Sequence, residues 1–207
     1  MRVSREQADA NREHIIETAA LLFREKGFNG IGLNDLMQAA GLTRGGFYGH
    51  FASKQELTLL ASQRALDENI GHWQKCAAKP QALRELVRFY LSDAHRNRSD
   101  RVCALATLGA DVARGSPEIK TAFSEGIERF LEILMPLMEA EDALVSRQQA
   151  IATLSMMVGA LLLSRATEKP SQAREIRHVV ESSLVRQGAN RLIDSSVHHP
   201  RGRCLPK

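Results

Sequence analysis

Apolar residues recur along this chain at spacings of three and four, and almost nowhere in alternation, so helix is the element predicted throughout. Over residues 11–26, Ile15, Ala19, Leu22 and Phe23 fall at i, i+4, i+7 and i+8. Ile16 and Ala20 lie beside them, and Gly27 after Lys26 marks the stop. A short loop leads to a second helix at 33–40, through Leu33, Leu36, Met37 and Ala40. Gly41-Leu42 makes a tight turn, and Thr43 is the expected N-cap of a short third helix through Phe47, Tyr48 and Phe51. Ser53, with Glu56 three residues on, reads as a capping box that opens a long helix over 54–78, ended by Lys79-Pro80.

Four further helices are predicted at 81–97, 103–114, 117–139 and 141–167. Ser116-Pro117-Glu118 is a cap with proline at the first helical position. Pro170 separates them from an amphipathic helix at 171–187 carrying Ile176, Val179, Val180, Leu184 and Val185, stopped by Gly188. Beyond it the periodicity fades, and residues 189–207 read as a disordered tail. The fold class is all-α, with about nine helices.

Composition narrows the function classes. The 207 residues are 43% hydrophobic and 25% charged, the balance of a globular protein with a sizeable core. Cys76, Cys103 and Cys204 are too few and too unevenly spaced for a disulfide framework, which points to a reducing compartment. The opening residues carry no apolar signal region, and the uncharged stretch at 148–164 is shorter than the roughly 20 residues of a membrane span, so a cytoplasmic protein without a membrane partner is expected. The net charge of +4 points only weakly to an anionic partner. Its local distribution says more: no acid stands between Asp35 and Glu56, where Arg44, His50 and Lys54 cluster. A solvated helix face is the plain alternative for such a cluster.

Residues 33–51 have the form of a helix-turn-helix, two short helices joined by a glycine turn. Phe47 and Phe51 supply the inward anchor, leaving Arg44, Gly45, Tyr48 and His50 to face outward. Gly45 and Gly46 each cost a helix about 1 kcal/mol against alanine, but glycine lets a backbone approach a partner closely. The stretch Gly41-Leu-Thr-Arg-Gly-Gly-Phe-Tyr-Gly-His-Phe-Ala-Ser-Lys54-Gln-Glu-Leu57 resembles the recognition-helix signature of the TetR family of bacterial transcriptional regulators. Upstream, Ile15-Ile-Glu-Thr-Ala-Ala-Leu-Leu-Phe-Arg-Glu-Lys-Gly-Phe28 is similar to that family's first helix.

The resemblance implies a DNA-binding head at 9–69 and a ligand-binding and dimerisation domain at 70–188. It also implies a palindromic double-stranded DNA operator, a homodimer and a small-molecule effector of unknown identity, with no cofactor. Carried over, Thr43 caps the recognition helix and reaches a phosphate, and Arg44 reads a base edge, as a guanidinium bonds guanine bidentately. Tyr48, His50 and Lys54 match phosphate positions, while Asn34 touches backbone or an adjacent base. Gly32 stands where the family has a Ser or Thr cap, Gly46 where it has Thr, and Gly49 where it has a bulkier residue. Fewer side chains therefore reach the groove, and Arg44 and backbone contacts, with Gly45 and Gly46 among the site residues, carry more of the binding.

In the body, Ile151, Leu154, Val158, Leu161 and Leu162 form an apolar stripe, with Val180 and Leu184 on the last helix. Core packing and a dimer interface both account for a helix so apolar around its circumference. Phe89, Tyr90, Cys103, Leu108, Phe123, Phe130, Met156 and Met157 are the candidate walls of an effector pocket, though each taken singly also suits an ordinary core. Cys103 follows Arg98, Asp100 and Arg101 at a helix start, where dipole and cations would lower a thiol pKa. It is therefore either a redox or electrophile sensor or a buried structural thiol. Control by a protein partner rather than a ligand is the remaining alternative. His198, His199 and Cys204 match no established metal spacing, and no catalytic motif stands out, so neither a metal site nor an enzyme is expected.

Overall fold

The computed structural model describes residues 4–97, 102–138, 140 and 142–197. Among these the chain forms nine α-helices and two short 3-10 segments, with no strand. The helices are α1 (Arg5–Lys26), α2 (Leu33–Ala39), α3 (Lys54–Ala77), α4 (Ala82–Tyr90), α5 (Asp93–Asn97), α6 (Ala104–Ala113), α7 (Pro117–Leu134), α8 (Ala143–Ala166) and α9 (Pro170–Val197).

Local chemistry accounts for where the elements depart from expectation. The first helix begins well before residue 11, because the Ser4 hydroxyl accepts the amide of Gln7 at 3.2 Å and caps it. The helix expected at 81–97 divides into α4 and α5, since the Ser92 hydroxyl accepts the amide of His95 at 3.1 Å and starts a new turn. The one expected at 117–139 gives way after Leu134 to a 3-10 turn, Met135–Leu137, as Pro136 has no amide hydrogen for the α ladder. Gly188 does not stop the last helix, which continues to Val197 through the start of the expected tail. Glycine weakens a helix, yet ends one cleanly where it takes a positive φ, as Gly27 does at 74°. His198, His199 and Cys204 lie outside the described residues, as do Arg98, Asp100 and Arg101.

One continuous core runs from Ile15 on α1 to Leu184 on α9. α3 is its axle: α1 lies along its first half and α7 along its second. Gly126 of α7 allows a close approach, for a Cβ there would stand 2.9 Å from Leu66 Cδ1. Because α3 continues unbroken past residue 69, the expected boundary between 69 and 70 falls inside a helix rather than at a linker. The α1–α2 loop docks on the body through Asp111 of α6, whose carboxylate accepts the Phe28 amide at 3.1 Å.

α8 is the one helix among the described residues long and apolar enough to cross a bilayer, which the stretch at 148–164 alone did not suggest. The extra length comes from carrying the helix through Arg147 and Arg165, both tied within the protein, to Glu128 and to the Arg96 carbonyl. It buries Ala150, Leu154, Met157, Ala160 and Leu161 against its neighbours, as a core helix does.

Candidate nucleic-acid interface

The tip of the molecule is built by α2, the turn after it and a 3-10 segment, Arg44–Gly49. α2 ends in a Schellman motif: Gly41, at φ 69°, donates to Gln38, and the Leu42 amide donates to the Met37 carbonyl at 2.9 Å. The chain thus reverses tightly enough to lay the next turn across α2. Phe47 and Phe51 are buried, with ring centroids 5.4 Å apart, and pin that turn from beneath. Arg12 of α1 stacks over the Phe51 ring at 5.1 Å and pairs with Glu56, closing the anchor.

The expected third helix is a 3-10 turn rather than an α-helix, because six residues containing three glycines have little α propensity. Thr43 occupies the N-cap position in extended backbone, yet its hydroxyl makes no capping bond. The box opening α3 forms as expected at one end, where the Ser53 hydroxyl accepts the Glu56 amide at 3.1 Å. Its return bond lands one residue early, on the Ala52 amide at 2.7 Å.

Thr43, Arg44, Gly45, Gly46 and Tyr48 share the exposed face of the tip, with Tyr48 67% exposed against Phe47. Asn34 is exposed at the start of α2, and His50 is half-buried beside Phe51. No ion pair involves Arg44 among the described residues. Lys54 turns inward: its ammonium donates to the carbonyls of Phe28 and Ile31 at 2.8 and 2.9 Å, so it holds the α1–α2 loop. A lysine next to a capping serine carries no sequence signal for that role.

A Cβ added at Gly45, Gly46 or Gly49 would meet nothing within 4 Å, and none of the three takes a positive φ. Neither packing nor backbone conformation therefore requires glycine there. What three glycines do is strip the turn of side chains, leaving its backbone open to close approach beside the exposed Arg44.

The eight candidate pocket residues do not form one wall. Tyr90, Leu108, Phe130 and Met157 are core, and Met156 is half-buried against it. Phe123 lines an apolar cavity of about 550 Å³ between α6, α7 and α8. Phe89 and Cys103 line a second, of about 720 Å³, where α1 and α3 meet the body. Arg24, Glu68, Asn69 and His95 also line that second cavity and were missed by the sequence reading. The signal for Arg24 was present: it continues the inward row of Ile16 and Ala20 at helical spacing.

Cys103 is 1% exposed, and burial raises its thiol pKa above the ordinary value. The neighbouring Tyr90 hydroxyl, the Leu105 and Ala106 amides at the start of α6, and the Arg24 charge pull the other way without prevailing. The expected depression of the pKa is thus overturned, because desolvation outweighs the helix start. Burial likewise raises the Tyr90 hydroxyl well above its usual range.

Of the residues expected at a dimer interface, Leu154, Leu161 and Leu184 are buried within this chain, and Val158 and Val180 are half-buried. Ile151 and Leu162 face outward, joined by Leu144, Leu163 and Val179, which the sequence reading did not include. Among the described residues no three His, Cys, Asp or Glu side chains gather as a metal site would.

A helix-turn-helix head on an all-helical body defines a class of DNA-binding regulators. Residues 15–61 match the family described as "Bacterial regulatory proteins, tetR family". The match covers the helix-turn-helix head, and the relatives and folds below are of the same kind. It is 29% identical over 105 residues to the uncharacterized HTH-type transcriptional regulator YfiR of Bacillus subtilis, covering 51% of each chain. It is 26% identical over 147 residues to the HTH-type transcriptional repressor NemR of Escherichia coli, covering 62% of this chain and 67% of that one. The chain thus spans about half the length of the first of these relatives. The fold is that of a TetR-family regulator from Cytophaga hutchinsonii, with TM-score 0.74 and 21% identity over 92% of this chain and 98% of that one. Reduced E. coli NemR superposes with TM-score 0.71 and 19% identity, over 84% of this chain and 95% of that one. These relatives are named as transcriptional regulators, not enzymes.

Proposed function

We propose that this chain is a homodimeric, cytoplasmic repressor that grips a palindromic operator through its glycine tip and releases it when a small molecule occupies the body. The observation that carries the reading is the set of glycines at 45, 46 and 49, which the fold itself has no use for, set beside an exposed Arg44 with no ion pair among the described residues. Two such heads would enter successive major grooves about 34–36 Å apart. In this reading the head spans 9–69 and the ligand-binding and dimerisation domain 70–188, with the outward Ile151 and Leu162 of α8 at the interface. Arg44 reads a base edge, while Thr43, Gly45, Gly46, Tyr48, His50 and Asn34 set the register on the backbone.

The test is binding to the intergenic DNA upstream of the chain's own gene across a salt series. Steep salt dependence is expected, with Arg44→Ala costing about 1–3 kcal/mol on that DNA and less on random sequence. Equal losses on both DNAs would remove Arg44 from base reading, and binding no tighter than to random DNA would overturn the operator assignment.

A thiol response through Cys103 is the second reading, favoured by its place on the wall of the 720 Å³ cavity near Arg24. Oxidant should then abolish operator binding in the native chain and leave Cys103→Ser bound. Loss in both proteins would exclude Cys103 as the sensor.

A further inference from the structure

We propose that the cavity between α1, α3 and the body takes a small planar carboxylate, whose anionic group bonds Arg24 while its ring lies against Trp73 and Phe89. This deepens the small-molecule reading above and rests on it. The argument starts from an unmade bond. Arg24 is 4% exposed, with Nε donating to the Ala20 carbonyl at 3.0 Å and Nη2 to Glu68 at 2.8 Å, while Nη1 is buried without a partner among the described residues. A guanidinium keeps its charge at any accessible pH, so burial does not relieve it by deprotonation. A buried cationic donor calls for an acceptor, and a carboxylate matches its planar fork.

The protein's own carboxylates around the cavity are already committed. Glu17 pairs with Arg64, Asp67 with Arg129 and Glu68 with Arg24 itself. Lys75, an exposed residue of the same lining, adds positive charge. Aromatic rings make part of the remaining lining: Trp73 is buried, and the rings of His72 and Phe89 lie 4.3 Å apart. At about 720 Å³ the space suits a small-molecule ligand.

Position gives occupancy a consequence. Arg24 lies in the last turn of α1, just before Gly27 and the loop that Lys54 and Asp111 hold. An anion that draws Arg24 from Glu68 acts on the α1–α3 clasp carrying the tip. It shifts the head only as far as it binds the two arrangements unequally.

Trp73 is the chain's single tryptophan, so its emission reports occupancy. The probes are 4-nitrobenzoate and its uncharged isostere 4-nitrobenzamide. Saturable quenching by the carboxylate is expected, weaker by about tenfold or more with the amide and in Arg24→Gln. Because Arg24→Gln breaks a buried ion pair and risks the fold, Gly71→Leu is the second variant. Gly71 lines the cavity and a Cβ there meets no atom within 4 Å, so leucine fills the space with the helix intact. It should abolish quenching while the far-ultraviolet circular dichroism stays unchanged. Equal quenching by the amide, undiminished quenching in folded Gly71→Leu, or no saturable quenching by the carboxylate would each overturn the proposal.

Operator binding in the same samples separates the two claims. A carboxylate that occupies the cavity without loosening DNA leaves the site standing and defeats ligand release. A molecule that releases DNA equally from Gly71→Leu leaves release standing and defeats this site.

Discussion

Arg44 and Arg24 belong to the same small head and are handled in opposite ways. Arg44 stands on a short 3-10 turn among glycines, exposed and without an ion pair among the described residues. Arg24 is buried at the end of a 22-residue helix, and two of its three nitrogens are bonded within the protein. The tip exposes its cation where a polyanion can reach it from outside. The seam buries its cation where only a molecule small enough to enter can meet it. One lesson follows: the same residue type signals a different class of partner according to how the backbone around it is packed.

The comparison breaks first at the tip's anchor. Phe47→Ala should cost about 3–5 kcal/mol by chemical denaturation, because the exposed face exists only while that ring is buried beneath it. A loss under about 1 kcal/mol would mean that the turn is held by something else.

Lys54→Met comes next, at about 1–3 kcal/mol of stability, as two backbone carbonyls lose a charged donor. The same variant should leave the salt slope of DNA binding unchanged. A slope reduced by about one would return Lys54 to a phosphate.

A smaller effect of opposite sign is expected at Gly46. Alanine there should stabilise the fold by up to about 1 kcal/mol, since no atom is displaced, while weakening operator binding. Tighter or unchanged binding would show that the bare backbone is not what the DNA meets.

The smallest effect belongs to the seam and appears in alkali. Cys103 and Tyr90 both have folded-state pKa values above their unfolded ones, so the unfolded chain gives up protons first. Their contribution to stability is whole below the unfolded thiol pKa and is lost as pH rises through the folded values. Denaturation midpoints should therefore fall from pH 8 upward, and fall less in Cys103→Ala. Identical alkaline slopes would place the thiol in a wetter site than the structure shows.

Much of this molecule was legible in its residues, because the features concerned are local. Helical spacing, the Ser53 cap, the Gly27 stop and the Phe47/Phe51 anchor each depend on neighbours within a few positions, so sequence determined the all-α plan and the exposed glycine tip. Where sequence reading went astray, a distant partner decided. Lys54 was matched to a phosphate position by its place in a motif, but the carbonyls that hold it belong to a loop more than twenty residues earlier. For Cys103 the sequence left an activated thiol and a buried structural one both open, and burial among elements far off in the chain raises its pKa, as the second requires. Helical spacing places Arg24 on the inward row of α1, but its Glu68 partner and the cavity beside it exist only once α1 lies on α3. Hydrogen bonding and periodicity act along the chain and can be read there. Desolvation and cavities arise from how helices meet, and only the tertiary structure settles them.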